Sequence, residues 1–379
     1  MTKNIIGFDA KRVVRNGTGL GSYGRTLVND LAQRQDLELR LYAPDKGRDD
    51  LRSQIVERPN VSFCYPHLSS FISHLSSSWW RMKGVVADLQ RDGVQLYHGL
   101  SGELPIGIHK SGIRSVVTIH DLIFLRHPEF YHWVDTKIYA WKFRQTMKEA
   151  DHVIAISECT KRDILYYSDI DEQKISIVYQ SFAPRFSAEV SEEQRTQVRH
   201  VYQLPQRYIL NVGSIEARKN VLQAVQALPL LPDDVALVIV GRHTPYTDRV
   251  LQYVHEHHLE ERVRILHGVP DEHLPVLYAL AESFVYPSVY EGFGIPIIEA
   301  ISCGLPVVAC SGSCLEEAGG PDSLYVQSGD VEAMADAIRQ TLVGAEGREQ
   351  RIENSKKYIR RFSGCSVADQ VVSVYQSLL

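Results

Sequence analysis

Tyr286-Pro-Ser-Val-Tyr-Glu291-Gly-Phe-Gly-Ile-Pro296-Ile-Ile-Glu299-Ala300 reads as the end of a strand, a glycine-punctuated loop and the start of a helix. Pro296 suits the first helical turn, where its missing N–H would have no partner anyway. Gly292 and Gly294 let the backbone come close to a ligand. The unpaired N–H groups and the dipole at the helix start attract an anion. Glu291 and Glu299 flank this cradle. A carboxylate there is unhelpful to phosphate but suits a polyhydroxyl group attached to it, such as a ribose or a hexose. The segment thus points to a nucleotide-sugar ligand. The competing reading is an ordinary loop-to-helix junction with one surface Glu.

Outward from this junction, short apolar runs alternate with helical patterns. Ile5–Phe8, Leu37–Tyr42, Val94–Tyr97, Val116–Ile119 and Val153–Ile156 form a first set of strand-like runs. Tyr208–Val212, Ala236–Val240, Val263–Leu266, Ser283–Tyr286 and Pro306–Ala309 form a second. Strand–helix alternation predicts parallel α/β sheets. The polar stretch Gln180–Gln206, with Pro184 and Pro205, is read as the connection between them. The expected organisation is an N-terminal Rossmann-like domain over 1–182, a linker over 183–204, a C-terminal domain over 205–364, and a last helix over 365–379. Two doubly wound domains facing a cleft would bind ligand beyond the carboxyl ends of their strands.

The chain has 379 residues and a formal net charge of −5, which gives no support to a nucleic-acid partner. Residues 1–182 carry +3 and the remainder −8, so the first half is the better host for an anionic surface. Six cysteines without a CxxC pair read as reduced, buried thiols. The first residues run directly into a strand without a leader, and no apolar run is long enough to span a membrane. A cytoplasmic protein is expected.

Three further segments carry candidate chemistry. Gly213-Ser214-Ile-Glu-Ala-Arg218-Lys219-Asn220 follows the first strand of the second set. Its adjacent cations suit a diphosphate: Arg218 as a planar fork, Lys219 as a mobile charge. A solvated basic pair is the bland alternative. His120-Asp121 ends a strand of the first set, where His120 is able to donate to a sugar hydroxyl or shuttle a proton, with Asp121 orienting it or capping the next turn. Gly19-Leu-Gly21-Ser-Tyr23-Gly24 matches GxGxxG, the dinucleotide fingerprint, yet Ala10–Thr18 separates it from its strand. It is expected to be a glycine loop offering backbone N–H groups, with a nicotinamide site or a structural turn as alternatives. Asp169-Ile-Asp171 and His255-Glu-His257-His258 read as a surface turn and a helix end, so no metal site is expected. His67–Val86 sets Trp79, Trp80, Arg81 and Lys83 on or beside an apolar stripe. Its alternatives are domain core and an anionic membrane interface.

Taken together these segments resemble glycosyltransferase family 4, a large retaining family with the two-domain GT-B fold. The specific matches are Glu291 to Glu299, which fits the family's E-x7-E signature, and Gly213 to Asn220. Gly17–Gly24, His120-Asp121-Leu122, Ile156-Ser157-Glu158 and Ser313–Gly319 match more weakly. The resemblance implies that Arg218 and Lys219 hold the donor diphosphate, that Glu299 holds the nucleotide ribose, and that Glu291 contacts the transferred sugar. The amides around Phe293, Gly294 and Ile295 would touch sugar and phosphates, with Gly19, Gly213 and Ser214 also on the donor. His120 would lie near the reacting side of the sugar, and Gly21, Tyr23 and Asp121 on the acceptor side. Val116 to Tyr131 looks most like bacterial mannosyltransferases of surface-polysaccharide assembly, which implies GDP-mannose as donor and a saccharide or lipid-linked saccharide as acceptor. Retention follows from the same resemblance and suggests front-side attack; no metal is expected, because the cations and the helix dipole already offset the leaving-group charge and no credible DxD is present, and no cofactor is expected. The family's last helix usually crosses back onto the first domain, and 367–379 is expected to do so. A dehydrogenase using Gly19–Gly24 and a non-catalytic nucleotide-sugar binder remain as alternative functions.

Overall fold

The computed structural model describes residues 3–66, 77–362 and 366–379. They divide into two compact units, one of 1–179 with 365–379 and one of 180–364.

The first unit is built on a seven-stranded parallel sheet, among the described residues, in the order β3-β2-β1-β4-β5-β6-β7. Its strands are β1 (Asn4–Asp9), β2 (Leu37–Tyr42), β3 (Val61–Cys64), β4 (Leu96–Gly99), β5 (Arg114–Ile119), β6 (His152–Ala155) and β7 (Ile175–Ile177). The second unit has six, in the order β10-β9-β8-β11-β12-β13. These are β8 (Arg207–Val212), β9 (Val235–Val240), β10 (Val263–Leu266), β11 (Ser283–Tyr286), β12 (Val307–Cys310) and β13 (Leu324–Val326). The central strands are apolar runs buried on both faces, as helices on either side of a parallel sheet require. Strand order reverses between β1 and β4 and again between β8 and β11. A crevice opens at such a switch point, beyond the carboxyl ends of the strands.

Ten of these strands coincide with the apolar runs of the sequence. The three without a counterpart, β3, β7 and β13, are edge strands of three or four residues that are only partly buried. An edge strand covered by one neighbour needs no continuous apolar run.

Two expectations change. The Gly19–Gly24 loop is helical: a helix spans Gly19–Leu31 and contains all three glycines. A Cβ on Gly21 would lie 1.8 Å from the carbonyl oxygen of Asn16, and one on Gly24 would press on Val13 at 3.0 Å. Gly21 and Gly24 serve helix packing against the Lys11–Arg15 turn and the residue after it, and the strand-to-helix phosphate turn of a dinucleotide site is not formed. The 183–204 stretch is also ordered. It holds a 3-10 turn, Pro184–Ser187, and a helix, Glu192–Val201, with a full capping box at Ser191. Arg195 donates to the carbonyl of Ala279 at 3.0 Å, and Tyr202 bonds His273 at 2.8 Å, so this stretch is part of the second unit.

The last helix, Val367–Leu378, belongs to the first unit. Val371, Val372, Val374 and Tyr375 enter the same core as Leu27, Val28 and Leu31. Within that core His98 is fully buried, with Nδ1 2.6 Å from the Tyr375 hydroxyl and Nε2 2.8 Å from Thr118 Oγ1. Burial drops His98 to about 3, so it is neutral.

Candidate active site

In the second unit the β8/β11 switch point gathers most of the expected donor residues. The two loops are stitched together by backbone: Val289 N–H donates to the carbonyl of Arg218 at 2.9 Å. Arg218 returns a bond from Nη1 to the Tyr290 carbonyl at 2.7 Å. Lys219 follows in the same 3-10 turn, Ala217–Lys219.

Between these cations sits Glu291. Its Oε1 lies 2.6 Å from Lys219 Nζ and its Oε2 3.0 Å from Arg218 Nη1. Ser288 and Tyr286 hydroxyls donate to Oε1 at 2.8 and 3.2 Å, and Lys219 Nζ also donates to the Tyr286 oxygen at 2.6 Å. Burial alone would raise Glu291, but Lys219 and Arg218 outweigh it and hold it at about 2. Lys219 is pushed down by burial and raised further by Glu291, so its ammonium also persists at neutral pH. The cluster is two cations to one buried carboxylate, all ionised. Arg218 and Lys219 are thus pre-oriented charges held by Glu291, so they are not the solvated pair of the alternative reading, and Lys219 is less mobile than its type suggested.

The helix Ile295–Ser302 begins beside them, with Pro296 in its first turn and Gly294 as N-cap. Gly294 has φ +109°, in the region that favours glycine, and a Cβ there would meet Leu315 at 3.1 Å. Cys314 Sγ lies 3.0 Å from the carbonyls of both Glu291 and Phe293, which anchors the loop from below. The Phe293 side chain is buried against Phe362. At Phe293 and Gly294 it is therefore backbone that is offered to a ligand. Gly213 and Ser214 close the arrangement at the end of β8, and the Gly213 N–H is bonded to the Val240 carbonyl.

Glu299, one turn into the helix, has a different environment. Its Oε2 accepts from the Tyr278 hydroxyl at 3.2 Å. Burial raises it to about 7, with Tyr278 and Arg185 opposing and Asp271 reinforcing. Arg185 is itself bound to Asp271 at 3.1 Å. Arg185, Tyr278, Asp271 and Ser288 were not found from the sequence. Arg185 lay in the presumed linker, and nothing in its spacing marks it.

In the first unit, His120 ends β5 and packs edge-on against Tyr23 at 4.7 Å between ring centres. Its Nε2 is 2.9 Å from the Leu100 carbonyl, which accepts only, so Nε2 carries the proton. Burial lowers His120 to about 4. The neutral ring therefore presents Nδ1 as an acceptor, contrary to the donor role expected from sequence. Asp121 caps the next turn, accepting from Ile123 N–H at 3.2 Å. Gly21 lies against the Asn16 carbonyl, as above, whereas Gly19 is the first residue of that helix and a Cβ there would meet nothing within 4 Å. Tyr23 is tied to Thr118 at 3.1 Å.

The β1/β4 switch point of this unit opens into a cavity of about 270 Å³. Asp9, at the end of β1, is buried beneath it and bound to Arg81 at 2.7 Å. Arg81 also binds Glu103 at 2.7 Å, and Lys142 binds Glu103 at 3.2 Å. Burial would raise Asp9, but Arg81 keeps it lowered, whereas the Lys11 ammonium on the rim is lowered by burial and by Arg81. The strand-end rule applied to Asp9 would have flagged this cavity.

The expected apolar stripe over 67–86 lies outside the described residues for 67–76. In the remainder, Trp80 is 6% exposed and its Nε1 donates to Asp88 at 2.6 Å, whereas Trp79 is 58% exposed. Arg81 is consumed by Asp9 and Glu103. Asp171 caps a 3-10 turn, and His255 and His257 bond Glu260 and the Tyr253 carbonyl. Among the described residues no three His, Cys, Asp or Glu side chains converge on a metal position, and no helix is long and apolar enough to cross a membrane.

Two parallel Rossmann-like sheets, with two cations and a helix N-terminus at the switch point of the second, make up the two-domain α/β architecture of the GT-B glycosyltransferases. The crystal structure of Anabaena Alr3699/HepE in complex with UDP and glucose shares this fold, with a TM-score of 0.74 at 17% identity over 99% of this chain and 100% of that one. Family models agree: "Glycosyltransferase Family 4" matches residues 17–185 and "Glycosyl transferases group 1" matches 193–358. O-antigen chain mannosyltransferase B of Escherichia coli is 30% identical over 95% of this chain and 96% of its own length. O-antigen chain mannosyltransferase RfbU of Salmonella typhimurium is 27% identical over 65% of each. The chain belongs to glycosyltransferase family 4.

Proposed function

We propose that this protein is a retaining, metal- and cofactor-independent mannosyltransferase of surface-polysaccharide assembly, working in the cytoplasm. Its donor is GDP-mannose and its acceptor a saccharide or lipid-linked saccharide. The observation that carries the reading is the ionised Arg218–Glu291–Lys219 cluster beside the N-terminus of the Ile295–Ser302 helix. The mannose assignment is supported by likeness to two O-antigen mannosyltransferases.

In this mechanism the C1–O bond to the diphosphate breaks as the acceptor oxygen bonds C1 on the same face. The acceptor proton passes to a leaving phosphate oxygen, and GDP departs with the electron pair. Arg218, Lys219 and the helix dipole meet the charge that develops on the diphosphate. Glu291, held near 2, stays anionic and faces the sugar as it becomes cationic. Glu299 accepts the ribose diol. His120 accepts a sugar hydroxyl at Nδ1, and the Asp9–Arg81–Glu103 cavity takes the acceptor.

The test is hydrolysis and transfer with GDP-, UDP- and dTDP-sugars and with NAD(H), in wild type, Arg218→Ala and Lys219→Ala. GDP-mannose should be turned over, and each variant should lose at least about tenfold, since a charge-assisted contact contributes roughly 1.5–3 kcal/mol. A response to NAD(H) alone, or binding without turnover of any donor, would overturn the assignment. Unchanged kinetics in both variants would remove the clamp from it.

A further inference from the structure

The helix Trp133–Glu149 of the first unit buries a narrow stripe, Ala140, Phe143, Thr146 and Glu149. At 100° per residue its opposite face carries Trp133, Val134, Ile138 and Trp141. All four are exposed, Trp133 by 65% and Ile138 by 45%. Interleaved on the same face are Lys137, Arg144 and Lys148, also exposed, with Lys137 Nζ lying 4.8 Å over the Trp133 ring. The helix has two acidic residues, both off this face. Asp135 projects from the flank, and Glu149 is turned inward to accept from the Gly107 and His109 N–H groups at 2.9 and 3.2 Å.

Two tryptophans and two aliphatic side chains held in water, with three cations and no carboxylate among them, do not describe an ordinary solvated face. Indole and long cationic stems together match the chemistry of a membrane interface. A second copy of the chain is a poorer occupant, because a two-fold contact would set this cationic face against itself. Trp141 and Lys142 also line the cavity above Asp9, together with Met82. The face therefore adjoins the place where, on the function proposed above, an acceptor enters.

We propose that the Trp133–Lys148 face is the surface by which this protein docks on an anionic lipid bilayer. Lys137, Arg144 and Lys148 meet headgroup charge, while Trp133, Ile138 and Trp141 enter the headgroup–acyl boundary. A lipid-linked acceptor lying in that bilayer then has its saccharide end beside the cavity. This last point rests on the proposed function; the docking does not.

The experiment is co-sedimentation of the full chain with phosphatidylcholine vesicles, with and without phosphatidylglycerol, at low and high salt. Wild type should pellet with the anionic vesicles and be partly released by salt. Lys137→Ala/Arg144→Ala/Lys148→Ala should weaken partition roughly a hundredfold, each surface cation counting for about fivefold. Trp133→Ser/Ile138→Ser should remove the binding that survives high salt. Unfolding temperature and transfer to a soluble saccharide should stay unchanged in both sets. Vesicle binding by wild type that both variants keep in full, or no binding at all, overturns the proposal. So does a soluble dimer in sedimentation velocity that disappears with the Trp133 variant. Arg218→Ala should leave pelleting untouched, so a failed enzyme assay and a failed docking assay are separable results.

Discussion

Glu299→Gln should make the protein more stable at pH 8 and leave it unchanged near pH 4. Glu299 is partly buried and its carboxyl is raised from the usual 4.5 to about 7, chiefly by that burial. A raised carboxylate pKa means that the folded state resists ionisation. Below about 4.5 the group is protonated in both folded and unfolded chains and contributes nothing. Between 4.5 and 7 the unfolded chain ionises and the folded one does not, so wild type loses stability as pH rises. Above 7 the loss is complete and amounts to about 3 kcal/mol. Gln has no charge to desolvate and its carbonyl still accepts from Tyr278. Thermal unfolding across pH 4–8 should therefore show the two proteins diverging above 4.5, to roughly 6–12 °C for a unit of this size. Nucleotide binding should move the other way. A ribose diol donates to the ionised form, so wild type should bind GDP more tightly as pH rises through 7, and the variant should bind about tenfold to a hundredfold more weakly without that dependence. Parallel unfolding curves, or a variant less stable at pH 8, would mean that Glu299 has an ionic partner and that burial does not govern it.

Glu291→Gln should lower kcat at least about tenfold while GDP affinity holds or rises, because the two cations are released to the diphosphate; weaker GDP binding here, with none in Glu299→Gln, would exchange the two roles. Transfer should survive EDTA in full, and restoration of a lost activity by Mg²⁺ would return attention to Asp169 and Asp171. Gly294→Ala should cost about 1–3 kcal/mol in urea unfolding, since alanine cannot hold φ +109° without strain; an unchanged midpoint would show that the loop relaxes freely.

Much of this protein was legible in its sequence because parallel sheets write themselves as apolar runs. Ten strands, the switch-point loop at 286–299 and the cations at 218–219 all carry local signals: composition, glycine spacing, a proline in a first turn. What tertiary structure alone decided was which local signals meet. Gly19–Gly24 has the letters of a phosphate turn, yet Gly21 is there because Asn16 leaves no room for a Cβ. Arg218 and Lys219 read as a diphosphate clamp, but that Glu291, more than seventy residues on in the chain, sits between them was not legible. His120 read as a donor until the Leu100 carbonyl assigned its proton. Trp80 and Trp133 are the same residue type in apolar patterns, one buried and one exposed, because burial depends on what the rest of the fold brings against each helix. Short-range sequence determines backbone preference; charge state, tautomer and exposure are set by groups that arrive from elsewhere in the chain.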